Sequence, residues 1–205
     1  MSTNGPLFVG IGFRARSGKD TIADYLVEKH GFRKTSWADL LKLGVNLWHG
    51  WDSRHAYGDL KEVVDPYFGY TPRHAYQHIG TNCIRDHHRH DFWTVAAMKQ
   101  INEWMDQGIS VVVPDCRFTN EAAVVLGTTG GQLWKVTRPG LPPPNPPPKN
   151  RLVRFVCTEL LGKKYDHESE IGLLYFKAWS AVIRNEGSKE DLYKKVDFLL
   201  GKVDE

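Results

Sequence analysis

A short segment near the N-terminus contains residue types that bind phosphate groups. It reads GFRARSGKDT and runs from position 12 to 21. Gly18 lets the backbone approach an anion closely, and Lys19 supplies a compact positive charge. Ser17 and Thr21 offer hydroxyl groups to phosphate oxygens. If a helix begins here, the amides of its first turn point at the same anion. The segment therefore predicts a phosphate-binding loop.

The segment departs from the usual pattern of such loops, GxxxxGK[ST], at two positions. That pattern has glycine at Phe13 and a hydroxyl residue at Asp20, whereas here glycine stands one position early and the hydroxyl one position late. On pattern alone, an ordinary strand-to-helix turn remains open. The apolar run before the segment and the helical pattern after it favour the phosphate loop. Asp20 is also a candidate for placing a hydrated Mg²⁺.

A second group of charged residues follows the most strand-like run of the chain, ISVVVP at 109–114. Asp115 and Arg117 then stand at the carboxyl end of a strand, where open parallel sheets bind ligands. Asp115 is a candidate for holding Mg²⁺ directly or through water, and Arg117 for clamping an anionic acceptor or a transferring phosphoryl group. The alternative is that Asp115 caps the next helix and Arg117 lies on the surface. Glu121 is interpreted as a structural partner of Arg117 or as a charge at the helix start.

Short apolar runs alternate with helical patterns and must position these residues. The predicted strands are 7–12, 32–37, 109–114, 132–137 and 178–184, and the predicted helices are 20–30, 118–126, 151–162, 168–177 and 188–200. Gly31 is a candidate helix C-cap and Ser188 a candidate N-cap. Residues 38–107 have helical patterns and no convincing strand, which predicts a helical insertion. The alternation is typical of a parallel α/β sheet with right-handed crossovers.

Composition indicates an ordinary globular protein. Its 205 residues suit one domain, and 27 Lys and Arg against 24 Asp and Glu leave a net charge of +3, far from that of a dedicated nucleic-acid binder. Three widely spaced cysteines give neither a metal motif nor a disulfide framework. No apolar run is long enough to span a bilayer. We expect a cytoplasmic protein with no membrane or nucleic-acid partner.

Two features of the composition have more than one interpretation. The seven Trp either pack in the core or line pockets for flat ligands. The segment LPPPNPPPKN (141–150) predicts an extended connector or a surface loop.

Histidines are concentrated in two places. The run HHRHD occupies 87–91, with His87, His88, His90 and Asp91, and His74 and His78 are one helical turn apart. Zinc sites usually combine spaced ligands with supporting groups and often cysteine, so a solvated turn is the favoured interpretation. Ser17 is not expected to be a hydrolase nucleophile, because no GxSxG elbow surrounds it.

Seven stretches in collinear order span most of the chain. They are RSGKDTIADYL (16–26), SWADLLK (36–42), TPRHAYQHIGTNCIRDHHRHDFW (71–93), PDCRFTNEA (114–122), KVTRP (135–139), DHESE (166–170) and VIRNEGSKEDL (182–192). Together they resemble the phage-type deoxynucleoside monophosphate kinases and, more distantly, the animal-type phosphomevalonate kinases. The resemblance implies an α/β P-loop kinase fold with a central parallel sheet in strand order 2-3-1-4-5. The core would be 1–37 and 108–205, the acceptor-binding insertion 38–107, and the lid-like segment 138–165.

The resemblance implies transfer of the γ-phosphoryl group of ATP to a deoxynucleoside monophosphate, with Mg²⁺ held by Asp20 and Asp115 directly or through water. The implied catalytic residues are Lys19, Asp115 and Arg117. The implied ATP-binding residues are Arg14, Arg16, Ser17, Gly18, Lys19, Asp20, Thr21 and Arg138. Arg138 is a candidate lid residue, together with Arg151 and Arg154.

The same resemblance places the acceptor mainly on the helical insertion. Its implied ligands are Asp39, Lys42, Arg73, Gln77, Arg85, Trp93 and Glu170. Arg73 and Arg85 suit the monophosphate, and Gln77 suits a base edge. An exposed polar helix face is the alternative for these three, and core packing is the alternative for Trp93 and Tyr76 as stacking partners. For Glu170, with His167 and Ser169, a helix closing over the phosphates and a simple helix cap are equally open.

Two other functions remain open on sequence alone. One is another small-molecule kinase on the same scaffold, such as a phosphomevalonate kinase. The other is a non-catalytic nucleotide-binding module that contacts nucleic acid. Gln77 and the aromatic residues favour a base as acceptor. A homodimer is left open, and the location would be the host cytoplasm for a phage-encoded chain.

Overall fold

A five-stranded parallel sheet forms the centre of the protein. A computed structural model describes residues 5–150, 152–153, 157–158, 164–166 and 168–201, apart from the side chains at 168 and 169. The strands are β1 (Phe8–Phe13), β2 (Arg33–Lys34), β3 (Val111–Cys116), β4 (Gly131–Thr137) and β5 (Ala181–Arg184). They lie in the order β2-β3-β1-β4-β5, and all neighbouring pairs are parallel. The predicted fold class and strand order are confirmed.

Helices cover both faces of the sheet and fill the long connection between β2 and β3. In chain order they are α1 (Lys19–His30), α2 (Asp39–His49), α3 (Ser53–Tyr57), a 3₁₀-helix (Asp59–Glu62), α4 (Pro72–Gln77), a π-helix (His78–Arg85), α5 (Phe92–Asp106), α6 (Thr119–Gly127), α7 (Glu168–Ile171) and α8 (Lys189–Leu199). Residues 38–107, all of which are described, contain no strand.

Three predicted elements have a boundary that differs from the observed one by more than two residues. β2 has two exposed residues instead of six, because it is an edge strand that pairs only with the start of β3. β5 begins at Ala181 instead of 178, since the chain turns where the N–H of Trp179 donates to the carbonyl of Lys177. The helix predicted for 168–177 ends at Ile171. The helix predicted for 151–162 lies mostly outside the described residues.

Two predicted helix caps are confirmed. Gly31 ends α1 with φ of 71°, and its N–H donates to the carbonyl of Val27. The hydroxyl of Ser188 accepts from the N–H of Asp191 at 3.1 Å, and the carboxylate of Asp191 accepts from the N–H of Ser188 at 2.9 Å. This reciprocal pair fixes the start of α8.

The sheet is buried on both faces, which explains its continuous apolar strands. On one face Val9, Val112 and Trp134 pack with α1 and α8. On the other face Phe8 and Val113 pack with α5 and α6. Alternate residues of each strand therefore contribute to different core clusters.

The helices between β2 and β3 have a small core of their own. It contains Leu41, Val45, Trp51, Ala56, Ala75 and Tyr76. The indole N–H of Trp51 donates to the carboxylate of Asp65 at 2.7 Å. Trp37, Trp51 and Trp134 each lie in a different core cluster, so part of the Trp content is structural. No helix of the described ranges is long and apolar enough to cross a bilayer.

Candidate active site

The phosphate loop, residues 14–18, lies where β1 turns into α1. Gly18 has φ of 104°, and an added Cβ would lie 2.4 Å from Nδ2 of Asn185. That nitrogen donates to the carbonyl of Ser17 at 2.9 Å. Glycine is therefore required at position 18 by its backbone conformation and by the close approach of Asn185. Because α1 begins at Lys19, the free amides of its first turn lie beside the loop.

Phe13 stands where the usual pattern has glycine, and its backbone has the conformation that glycine favours. Its φ is 96°. Its ring packs edge-on against Trp179 with 6.5 Å between centroids, and the ammonium of Lys135 lies 4.1 Å from its centroid. A left-handed non-glycine residue carries roughly 1–3 kcal/mol of strain. The departure at position 13 thus concerns the side chain, whereas the backbone still turns as a glycine would.

Two buried side-chain donors of the loop have no hydrogen-bond partner among the described residues. They are Oγ of Ser17, which is fully buried, and Nη1 of Arg14. Buried polar groups are nearly always paired. Only one further buried side-chain atom of the described residues, Nδ2 of Asn120, has no partner. An anion in the loop would satisfy both Ser17 and Arg14, so these two donors fit a bound phosphate.

Lys19 lies half-buried at the base of this loop. Its ammonium donates to the carbonyl of Arg14 at 2.5 Å. Burial, and then the guanidinium of Arg117, lower the pKa of Lys19, while the carboxylates of Asp20, Glu170 and Asp115 oppose this. A bound anion would raise this pKa and so oppose both effects, because a nearby negative charge favours the protonated ammonium.

Asp115, at the end of β3, is bound to the chain that leads into α2. Its carboxylate accepts from the N–H of Trp37 at 3.0 Å and of Ala38 at 3.3 Å, and from the hydroxyl of Ser36. The sequence suggested a metal ligand or a cap for the helix after β3. In the structure Asp115 fixes the segment before α2, and its role as a metal ligand stays a prediction.

Arg117 and Glu121 connect β3 with α6 and α7. Nη1 of Arg117 donates to Glu170 at 2.6 Å. The N–H groups of Arg117 and Phe118 donate to the carboxylate of Glu121 at 2.6 and 3.0 Å. Glu121 is thus a structural partner of Arg117, because its carboxylate binds the backbone N–H of that residue. Its burial raises its pKa to about 7.

A cavity opens beside Asp115 and Arg117 at the carboxyl edge of the sheet. Its wall combines aromatic rings, several cations and few acids. The lining residues are Trp37, Ala38, Leu41, Lys42, Lys61, Arg73, Tyr76, Gln77, Gly80, Thr81, Arg85, Trp93, Asp115, Arg117, Phe118 and Glu121. Five of the predicted acceptor ligands lie in this wall: Lys42, Arg73, Gln77, Arg85 and Trp93. Asp39 and Glu170 are outside it and contact Lys42 and Arg117, respectively.

Arg85 makes most of its contacts within the protein. Its side chain is 3% exposed and its Nη2 lies 3.3 Å from the carboxylate of Glu121. Both terminal nitrogens donate to Oδ1 of Asn120 at 3.1 Å, and the guanidinium lies 3.5 Å from the ring centroid of Phe118. These contacts leave few of its donors for a phosphate.

Arg73 and Lys42 are also paired. Arg73 binds the exposed carboxylate of Glu62. Lys42 lies 3.9 Å from Asp39 and 4.2 Å from the ring centroid of Tyr57, and its burial lowers its pKa. Both cations line the cavity with an internal partner in place.

The wall residues predicted to contact a base differ in how tightly the protein holds them. Trp93 donates from its indole to the carbonyl of Gly80 at 2.9 Å, and the hydroxyl of buried Tyr76 donates to Asn46 at 2.5 Å. The side-chain amide of Gln77 makes no hydrogen bond to any residue that the structure describes. Of these three residues, Gln77 is therefore the one whose polar side-chain atoms are available to a base.

Several predicted residues lie away from the cavity. Arg16 and Arg138 are exposed, Thr21 is in the first turn of α1, and Asp20 is exposed with its carboxylate 3.6 Å from Lys34. Arg151, Arg154 and His167 lie outside the described residues, as does the side chain of Ser169.

No three His, Cys, Asp or Glu side chains of the described ranges come together as a metal site. The rings of His74 and His78 stack in parallel with centroids 6.0 Å apart. Sequence reasoning also missed several residues of the wall, among them Lys61, Trp37 and Phe118. Lys61 lies in a polar stretch, DLKE, that has no motif to mark it.

Comparison with known proteins agrees with this picture in part. The chain is 28% identical over 207 residues to a protein of Acanthamoeba polyphaga mimivirus that is provisionally named a deoxynucleotide monophosphate kinase, covering 93% of this chain and 94% of that protein. No family model matches the chain.

Solved structures of kinases are similar to the chain over nearly its whole length. A dephospho-CoA kinase from Campylobacter jejuni is 13% identical, with a TM-score of 0.47 and 98% of each chain covered. A shikimate kinase from Aquifex aeolicus is 10% identical, with a TM-score of 0.44, 95% of this chain and 96% of that chain covered. At TM-scores below 0.5, these likenesses assign no activity to this chain.

Proposed function

We propose that the protein is a nucleotide kinase that transfers the γ-phosphoryl group of ATP to a nucleoside monophosphate, with a deoxynucleoside monophosphate as its preferred acceptor. One observation carries the proposal: Asp115 and Arg117 line the cavity and also act electrostatically on Lys19 of the phosphate loop. The predicted phosphate loop and a cationic cavity with aromatic walls therefore lie side by side at one edge of the sheet. The similarity to the mimivirus protein supports a kinase and the same acceptor class.

In the proposed reaction the protein positions two substrates and neutralises charge. Ser17, Lys19 and the amides at the start of α1 bind the ATP phosphates. Arg117 lies between the two sites and exchanges its bond with Glu170 for the phosphoryl group. An oxygen of the acceptor phosphate attacks the γ-phosphorus, and the bond from that phosphorus to the bridging oxygen of ADP breaks. Such a transfer needs little covalent help from protein groups.

Mg²⁺ fits this site as a hydrated ion that arrives with ATP. Asp115 already accepts three hydrogen bonds, and Asp20 is exposed beside Lys34. Mg²⁺ usually keeps several waters and binds through one or two carboxylates together with substrate phosphates. Asp115 would therefore hold the ion through water, and the ion would neutralise charge on the transferring phosphates.

The aromatic part of the wall favours an acceptor with a flat ring. Trp37, Tyr76, Trp93 and Phe118 line the cavity, and the amide of Gln77 is available for a base edge. Mevalonate phosphate has no ring to use these residues. This contrast favours a nucleotide over the acceptor of a phosphomevalonate kinase.

A coupled assay of ADP release tests the proposal. ATP is offered with a panel of deoxyribonucleoside and ribonucleoside monophosphates and with mevalonate phosphate. We expect transfer to at least one deoxynucleoside monophosphate and none to mevalonate phosphate. Binding of ATP without transfer to any monophosphate would contradict the proposal and favour a non-catalytic module.

A pair of lysine variants tests the phosphate loop in the same assay. Lys19→Ala is expected to lower kcat by about 100- to 1,000-fold with unchanged thermal unfolding, because it removes one charge from the transition state. The matched control is Lys29→Ala, at the exposed end of α1, which leaves transfer unchanged. Turnover of Lys19→Ala within a few-fold of wild type would remove the loop from the mechanism.

A further inference from the structure

One lysine of the cavity wall differs from the other cations, because it has no acidic partner in the part of the chain that the structure describes. Lys42, Arg73, Arg85 and Arg117 each have a carboxylate within 4 Å. Lys61, half-buried in the 3₁₀-helix, has no such carboxylate among the described residues. A half-buried ammonium in a cavity wall is costly unless an anion accompanies it.

The charged groups around Lys61 come from three other elements and are mostly cationic. Burial is the largest cause and, together with Arg73 from α4, Lys42 from α2 and Arg117 after β3, lowers the pKa of Lys61 to about 8. Glu62, its neighbour on the same helix, acts in the opposite sense.

The carboxylates nearest to Lys61 along the chain are already engaged. Glu62 is bound to Arg73, and Asp59, on the same 3₁₀-helix, is bound to Arg54 of α3. The cations around Lys61 therefore lie close together without enough carboxylates to balance their charge. Such an arrangement is typical of an anion-binding site.

We propose that Lys61 binds the phosphate group of the acceptor and selects a phosphate dianion over an uncharged nucleoside. The inference rests on the proposed function, since it identifies which residue of the same cavity recognises the monophosphate. A phosphate dianion supplies the negatively charged partner that Lys61 lacks among the described residues. It also offsets the repulsion between Lys61 and the three cations around it, Arg73, Lys42 and Arg117.

The replacement Lys61→Met tests this role, with Lys99→Met on the exposed face of α5 as the control. The KM for the acceptor is expected to rise roughly 10- to 100-fold in Lys61→Met, as for the loss of a charge-assisted hydrogen bond. The KM for ATP and the thermal unfolding temperature stay close to wild type. An acceptor KM within threefold of wild type would overturn the proposal while leaving the kinase function in place.

Calorimetry gives a second readout that a structural lysine would not move. Because the pKa of Lys61 lies near 8, binding of a monophosphate at pH 8 is expected to take up about half a proton. This uptake is measured by comparing two buffers of different ionisation enthalpy, and it disappears in Lys61→Met. Equal uptake by both proteins would overturn the proposal.

The outcome remains informative even if the wild type transfers to no acceptor. The proposed function then fails, and binding of inorganic phosphate, followed by the same calorimetry, still tests Lys61. Phosphate binding that is lost in Lys61→Met and kept in Lys99→Met supports the anion site. Equal binding by the two variants contradicts it.

Discussion

Replacing Arg85 by methionine tests whether this arginine supports the fold or binds the acceptor. Arg85 and Glu121 are 3% and 5% exposed and lie 3.3 Å apart. Removing one partner of such a buried pair leaves the other charge uncompensated and destabilises a protein by about 3–5 kcal/mol. With an m-value of about 2 kcal/mol/M, the urea midpoint of Arg85→Met is expected to fall by about 1.5–2.5 M.

Two further variants calibrate this loss. Arg85→Met combined with Glu121→Met removes both charges and is expected to recover most of the stability. A deficit of about 1 kcal/mol remains, because the N–H groups of Arg117 and Phe118 lose their acceptor. Arg54→Met breaks a pair whose side chains are 58% and 69% exposed, and it is expected to cost less than about 1 kcal/mol.

The dependence on pH follows from Glu121. Its pKa is already raised from 4.5 to about 7 by burial, and losing Arg85 raises it further. A raised folded-state pKa favours folding below that value, and this contribution is lost as pH rises through it. Arg85→Met is therefore expected to be closest to wild type near pH 5.5 and furthest from it near pH 8. A midpoint shift below 0.5 M with a tenfold higher acceptor KM would refute the structural role and favour phosphate binding.

The phosphate loop gives two more predictions. Phe13→Gly and Phe13→Ala both lose the ring contact with Trp179, but only glycine relieves the backbone strain at φ of 96°. The glycine variant is therefore expected to be more stable than the alanine variant by about 1 kcal/mol in urea unfolding. Equal stability of the two variants would show that position 13 is unstrained. Gly18→Ala places a Cβ against Asn185 and is expected to abolish ATP binding, measured by calorimetry, whereas Gly31→Ala meets no atom within 4 Å and keeps it. ATP binding by Gly18→Ala would contradict the loop geometry.

The sheet and the turn from β1 into α1 were predictable because their signals are local. The buried strands are continuous apolar runs, and the loop lies between one of them and a helix. The ends of β2 and β5 were not predictable, since an edge strand stops where its neighbour stops pairing. Such limits depend on residues that are distant in sequence.

Several residues that line the cavity were predictable from the sequence, but the ion pairs that these residues make were not. Arg73, Gln77, Arg85 and Trp93 were expected at the acceptor and do line the wall. The partner of Arg85 is 36 residues away, and Lys61 stands out only because the other cations are paired. Neither fact has a signature in the spacing of residues. Charge compensation becomes visible only when the folded chain brings separate elements together.

The bonds of Asp115 also determine which parts of the molecule can move independently. Three hydrogen bonds join its carboxylate to residues 36–38, and each bond to a charged group contributes roughly 1.5–3 kcal/mol. The start of α2 therefore moves as one rigid unit with β3. A motion that narrows the cavity therefore has its hinge after residues 36–38. It carries the segment from α3 to α4, with Lys61, towards Asp115 and Arg117, which form the fixed floor of the cavity.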